Sequence, residues 1–242
     1  MKKLIALAAA AACGAALAAV ESPNIVGYGT ENCPAKKYTM FGVSFAGIGA
    51  TETLTLGEVV KGDFSFGDAI MIPDETGVYS QYTFITAEVA EEEEIEGGEG
   101  WYGDDGENHN NDVKFKNGQS FWIFPDSAVT VTIAGQVKSS WEYEAPANVY
   151  SMIANPFPTQ ITLGKFTYPG AFGDAIMIPD EDGVYTQYTY ITAEVAEEEE
   201  IEGGSGWYGD DGENHNADPL PANQGFWLLP GAAVTISATL SL

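Results

Sequence analysis

The clearest pattern along the chain has a period of two. In "VTVTIAGQV", Val129, Val131 and Ile133 fall on one side of an extended chain, and Thr130, Thr132 and Ala134 fall on the other. "VTISATLSL" repeats this, with Val234, Ile236, Ala238, Leu240 and Leu242 against Thr235, Ser237, Thr239 and Ser241. Side chains alternate faces along a strand, so both stretches predict strands with one dry and one wet face. "VYSQYTFITAEV" and "VYTQYTYITAEV" are rich in the Val, Tyr, Thr and Ile of half-buried strands. "IPDETG" and "IPDEDG" ahead of them carry the Pro, Asp and Gly of tight turns. No long helical pattern competes. The one helix-like piece, "AEVAEEEEIE", holds a glutamate run whose (i, i+3) neighbours repel, and a solvated loop is expected there.

These elements occur twice. Residues 66–111 and 172–217 align without a gap at an offset of 106, and 41 of the 46 positions are identical. The differences are Thr76/Asp182, Ser80/Thr186, Phe84/Tyr190, Glu99/Ser205 and Asn111/Ala217. Outside the block the correspondence is looser. "YTMFGVSF" from Tyr38 pairs with "YSMIANPF" from Tyr150, "LTLGEV" from Leu54 with "ITLGKF" from Ile161, and "SFWIFPDSAVTVTI" from Ser120 with "GFWLLPGAAVTISA" from Gly225. Each unit offers roughly seven or eight short strands separated by Gly, Pro, Asn and Asp, the pattern of a β-sandwich. The expectation is an all-β protein of two tandem β-sandwich-like domains, residues 19–137 and 138–242, behind a signal peptide at 1–18. Near-identity of the middle block fits functional demand on it or recent copying of one unit onto the other. Repetition alone does not decide between them.

The leader changes where the protein is expected to act. Lys2 and Lys3 precede an apolar run from Leu4 to Leu17, and Ala16-Leu17-Ala18 gives a small-x-small cleavage site. The run is shorter than the ~20 apolar residues of a membrane span. Export is therefore expected, to the cell surface, periplasm or medium, with no membrane span after cleavage. A second reading is lipid anchoring at Cys13 in "AAAC", which loosely resembles a lipoprotein box. Cleavage after Ala18 leaves 224 residues and moves the formal charge from -27 to -29. The chain has no arginine, so nucleic acid, acidic lipid and phosphate are poor partners. An anionic surface favours cations and basic partners instead. Cys33 alone would remain after the leader, which excludes a disulfide framework.

The start "SPNIVGY" behind an alanine-rich leader, the "SMIANPFP" segment and the "GFWLLP" strand resemble small exported β-rich proteins common in verrucomicrobial-type bacteria. The resemblance covers most of each unit but not the glutamate-rich block. It implies architecture and export, and it transfers no active site.

Three features carry candidate chemistry. "DDGENHN" is the first: Asp104, Asp105, Glu107 and Asn108, with Asp210, Asp211, Glu213 and Asn214 in the second copy, offer the hard oxygen donors that calcium takes. The stretch does not match the D-x-[DN]-x-[DN]-G loop, and Asp-Gly is also a strong hairpin dipeptide. His109 and His215, one per unit, do not make a zinc site. The second feature is the pair of runs Glu91–Glu94 and Glu197–Glu200, tolerable in water and prohibitive inside. Aromatic pairs are the third. Trp101-Tyr102 and Trp207-Tyr208, with Trp122 and Trp227, would stack sugar rings if one member of each pair faced solvent. No G-x-S-x-G, H-E-x-x-H or P-loop occurs, and "GIG" at Gly47–Gly49 lacks a dinucleotide setting.

The sequence thus points to a non-enzymatic exported structural, adhesive or assembly protein. No cofactor is expected beyond weakly held calcium, and the candidate partners are cations, surface glycans or further copies of the chain. A carbohydrate-binding module is the alternative. A glycoside hydrolase comes third, because its acid needs a shielded cleft and these carboxylates read as open loops.

Overall fold

The structure, a computed structural model, describes residues 25–49, 51–180 and 182–240. The leader reading, with Cys13, lies outside the described residues. The first half contains β1 (Val26–Cys33), β2 (Thr39–Gly42), β3 (Thr53–Thr55), β4 (Ala69–Pro73), β5 (Tyr79–Ile85), β6 (Gly100–Tyr102), β7 (Lys114–Lys116), β8 (Ser120–Phe124) and β9 (Val129–Gln136). The second half contains β10 (Ser140–Ala145), β11 (Ser151–Ala154), β12 (Ile161–Thr162), β13 (Phe166–Thr167), β14 (Ala175–Pro179), β15 (Tyr185–Ile191), β16 (Gly206–Tyr208), β17 (Pro219–Leu220), β18 (Gly225–Leu229) and β19 (Val234–Thr239). Among the described residues three short α-helices interrupt them, α1 (Leu56–Val59), α2 (Ala87–Glu92) and α3 (Ala193–Glu198). The protein is all-β, as its period-two patterning requires.

Each half repeats one arrangement. A five-stranded antiparallel sheet has the order β2-β8-β4-β5-β6 in the first half and β11-β18-β14-β15-β16 in the second. Against it lies a smaller layer, β1-β9 in the first half and β10-β19-β13 in the second. Phe41, Ile70, Phe121 and Ile123 of the first large sheet share a core with Val129, Val131 and Ile133 of β9. The second half has its own core, where Ile153, Ile176, Phe226 and Leu228 meet Ile236 and Ala238 of β19. The alternation read from "VTVTIAGQ" is the one observed, with Val129, Val131 and Ile133 buried and Thr130 and Ala134 exposed. Cys33 is a core residue whose thiol is pushed up to about 12 by burial and by the nearby Glu31. Burial and the raised pKa both disfavour the reactive thiolate there.

One local expectation is corrected. The strands of "YSQYTFITAEV" and "YTQYTYITAEV" stop at Ile85 and Ile191, and "AEVAEE" forms α2 and α3 rather than strand or loop. The reason lies at the helix ends. Thr86 caps α2 through its hydroxyl, which accepts from Val89 N–H. At the far end Ile95 N–H reaches back to Ala90 O at 2.9 Å and Glu94 N–H to Glu91 O at 3.4 Å, closing the helix with Glu94 in the left-handed region at φ 52°. Only Glu91 and Glu92 of the run lie within the helix, Ala90 is buried beneath it, and Glu91–Glu94 are exposed. Solvation of the run stands; its loop conformation does not.

The halves dock through corresponding surfaces. Gly42 N–H donates to Asn223 O at 2.8 Å, and Ala154 N–H donates to Gly118 O at 2.8 Å. Gly42 corresponds to Ala154, and Gly118 to Asn223, so the two bonds are related by a pseudo-two-fold axis. The bridges Phe41–Gln224 and Gln119–Ile153 obey the same relation. Close approach requires a small residue at Gly42, where an added Cβ would collide with the Ala154 methyl. Ser44 Oγ ties the centre, donating to Asn155 O and accepting from Asn223 N–H, each at 3.0 Å.

Candidate functional site

The repeated acidic stretch is built on β6 and β16, the edge strands remote from the junction between the halves. In the first copy the chain leaves β6 at Tyr102 and returns through a tight hairpin. Gly103 N–H donates to Glu107 O, Gly106 N–H to Gly103 O, and His109 N–H to Trp101 O. Gly106 has φ 78°, which suits the Asp-Gly turn. Asp105 Oδ1 accepts from Glu107 N–H at 3.0 Å and faces His109 Nε2 at 3.0 Å. Asp112 Oδ2 lies 3.1 Å from the other ring nitrogen. The imidazole is thus clasped between two carboxylates, with the Tyr82 ring 5.2 Å away edge-on. His215 repeats this with Asp211, Asp218 and Tyr188.

The clasp shifts both partners in the sense expected of a charged pair. The hydrogen bond to Asp105 raises the His109 pKa, and the bonds to Asp211 and then Asp218 raise that of His215. Asp105 is lowered chiefly by His109, and Asp211 chiefly by the Glu213 N–H and then by His215.

The amides in the stretch serve the fold. Asn108 Nδ2 donates to Gly97 O and Glu99 O, and Asn110 Oδ1 accepts from Trp101 N–H at 3.0 Å. Asn214 and Asn216 act alike in the second copy. Of the oxygen donors proposed for calcium, Asp104, Glu107, Asp210 and Glu213 are left exposed, whereas Asp105, Asn108, Asp211 and Asn214 are engaged within the hairpins. Among the described residues no group of three or more His, Cys, Asp or Glu is arranged to hold a metal ion.

The aromatic expectation needs correction for four residues. Trp101 is 1% exposed and Trp207 2%, and Tyr102 and Tyr208 are also buried. Strand alternation does aim Trp and Tyr to opposite faces, but the segment after α2 folds over the outer one. Tyr102 OH donates to Gly98 O at 2.7 Å beneath it, as Tyr208 OH does to Gly204 O. None of the four forms a surface platform. Trp122 and Trp227 are half-buried. Trp227 meets Tyr79 of the first half and Tyr150 of the second edge-on, at 6.5 and 6.0 Å. These rings border a concavity of about 460 Å³ at the junction between the halves.

No protein-family model matches the chain, and comparison with curated proteins and with solved structures finds no match. The site therefore rests on its own geometry.

Several residues, two of them in the clasps and two elsewhere in the block, escaped sequence reasoning. Asp112 and Asp218 complete the histidine clasps and stand at equivalent positions one step past the aligned block, a signal that extending the alignment would have given. Asp68 and Asp174 are buried carboxylates inside the block. Asp68 accepts from Ser65 and Asp126 N–H, and Asp174 from Ala171 and Gly231 N–H and from Tyr168 OH. Their Phe-Gly-Asp setting resembles any turn, and nothing local marks them as buried.

Proposed function

We propose that this is a non-enzymatic structural, adhesive or assembly protein acting at or outside the cell surface. It presents two copies of one acidic edge to cations and basic partners. The observation that supports this most directly is the fate of the repeated block. Its histidine and amides are consumed in holding their own hairpin and Trp101 and Tyr102 are buried, while Asp104, Glu107 and the Glu91–Glu94 run stay exposed. Carboxylates spread over an open edge attract calcium loosely rather than coordinating it. Calcium titration is expected to raise Tm with half-effect in the ~1 mM range typical of weak extracellular sites. No rise at roughly ten times that concentration would remove calcium from the proposal.

A second reading, carbohydrate binding, moves from Trp101 and Trp207 to Trp227, because Tyr79, Tyr150 and Trp227 line an aromatic concavity. A glycan array distinguishes the two. Binding that disappears in Trp227→Ala supports the second reading, and a blank array supports the first.

A further inference from the structure

The pseudo-two-fold axis makes two equivalent corners at the junction of the halves, and the described residues fill only one. At the filled corner Trp141 of β10 is 6% exposed, donates through Nε1 to Asn117 O at 2.9 Å, and lies against Gly118. A Cβ on Gly118 would collide with the indole. Tyr143, two residues along β10, stacks with Trp141 at an interplanar angle of 6°.

Strand register identifies the counterparts. Trp141 and Tyr143 pair with Ala238 and Ile236 of β19, while Gly29 and Glu31 pair with Ile133 and Val131 of β9. Those partners are equivalent in the repeat, so Gly29 stands for Trp141 and Glu31 for Tyr143. Across the junction Asn223 stands for Gly118, and its side-chain amide lies beside Gly29, where the other corner has the indole. Two aromatic rings are thus replaced by a hydrogen atom and a carboxylate.

A cleft of about 730 Å³ opens there, within the usual range for small-molecule sites. Its wall includes Glu31 and Asn223, with Tyr38, Met40, Pro179 and Pro221 supplying apolar surface. Asn223 is 4% exposed, and its Oδ1 has no hydrogen-bond partner among the described residues. Asn117 at the other corner also leaves Oδ1 unpaired, but its Nδ2 is bonded to Val43 O and Pro156 O. Among the described residues the Asn223 side chain makes no hydrogen bond. Glu31 is half-buried, burial raises its pKa, and among the described residues no lysine or histidine lines the cleft. A buried acceptor without a donor and a desolvated carboxylate without a counter-charge are both costly. Each is relieved by the same kind of visitor.

We propose that the open corner is a binding site for one small organic cation per chain. Its ammonium or guanidinium N–H groups bond Glu31 and, once the unbonded Asn223 side chain turns toward the cleft, Asn223 Oδ1, and its apolar stem lies along Met40 and the prolines. The asymmetry of an otherwise repeated protein is then functional: one corner is plugged by the chain's own rings and the other admits a ligand.

The test uses the full mature chain and isothermal titration with butylammonium and butylguanidinium, with 1-butanol and butyrate as neutral and anionic controls. Salt at about 0.15 M screens diffuse attraction to the anionic surface. Saturable binding of a cation at one equivalent is expected, weakened about tenfold or more by Glu31→Gln, which removes the charged partner. Asn223→Gly, which keeps the left-handed backbone that Gly118 has in the other half, is expected to weaken it about three- to tenfold. Glu197→Gln on the exposed run should change nothing. Absence of cation binding, two equivalents per chain, equal binding of 1-butanol, or affinity indifferent to both Glu31→Gln and Asn223→Gly would each overturn the proposal. Failure here would leave the acidic-edge reading untouched, since that is read by calcium alone.

Discussion

Trp101 and Trp207 hold corresponding places in two nearly identical blocks, yet they are packed by different chemistry. Phe64 and Phe84 flank the first indole at 4.9 and 5.0 Å between ring centroids. Tyr168 and Tyr190 flank the second, each at 5.0 Å. The partners do not even come from matching positions. Phe64 aligns with Gly170 and Tyr168 with Gly62, so the ring arrives two residues out of step. Glycine then leaves room, because a Cβ at Gly170 would strike the Tyr168 ring. The two hydroxyls of the second half are both provided for. Tyr190 OH donates to Tyr168 O at 3.0 Å, and Tyr168 OH donates to Asp174 at 2.7 Å. Burial first, and then Asp174, raise the pKa of Tyr168. A core of this kind fixes volume around the indole and accepts either ring, provided that any added hydroxyl finds an acceptor.

The largest effect expected from this contrast lies at the two buried aspartates. Asp174→Ala orphans two backbone N–H groups and a hydroxyl, and Asp68→Ala orphans two N–H groups. Each should lower unfolding free energy in urea by about 2–4 kcal/mol, with Asp174→Ala worse by about 1 kcal/mol. An equal or larger loss in Asp68→Ala would break the comparison.

Smaller effects test where the halves should be the same. Glu94 and Glu200 both sit at φ 52° in the helix-closing position that favours glycine. Glu94→Gly and Glu200→Gly should each stabilise by about 0.5–1 kcal/mol, since left-handed backbone penalises a Cβ more than glycine's extra unfolded freedom costs. Unequal gains in thermal melts would show that the copies differ locally despite matching geometry.

The smallest effect is the pH dependence of the histidine clasps. A raised histidine pKa contributes stability that is complete below the unfolded value near 6.5 and lost as pH rises through the folded value. A lowered aspartate pKa contributes stability present above about 3.9 and lost as pH falls through its folded value. The clasp is therefore strongest between about pH 4 and 6.5. In that window His109→Gln and His215→Gln should melt below the parent chain, with the gap closing at alkaline pH. A gap that widens above neutrality would reverse the assignment.

What could be read from residues alone followed from one-dimensional periodicity. Val129, Val131 and Ile133 declare their buried face because every second side chain does, and Asp74 and Gly77 declare a turn. Asp74 indeed closes the β4–β5 hairpin, its Oδ1 accepting from the Thr76 hydroxyl and from Thr76 and Val78 N–H. Those contacts, led by the Thr76 hydroxyl, hold its carboxyl below the usual value. In the second copy Asp182 replaces Thr76 and meets Lys37 of the first half at 3.0 Å, a pairing no local pattern announces. The burial of Tyr102 was illegible for the same reason: it depends on a glycine segment folding back over a face that alternation assigns to water. The helix at Ala87–Glu92 was hidden by charge, since end-capping outweighs repulsion among glutamates that water already screens.

The short link between β9 and β10, residues 137–139, has a consequence for how strongly the halves must attract one another. Faces that match under a two-fold axis would, on separate chains, have to find each other at cellular dilution. Tethered by three residues, they meet at an effective concentration of order millimolar, so a contact too weak to hold a free pair can still hold this one closed. The junction can then tolerate an imperfectly packed corner, because the tether and not the seam keeps the pair together.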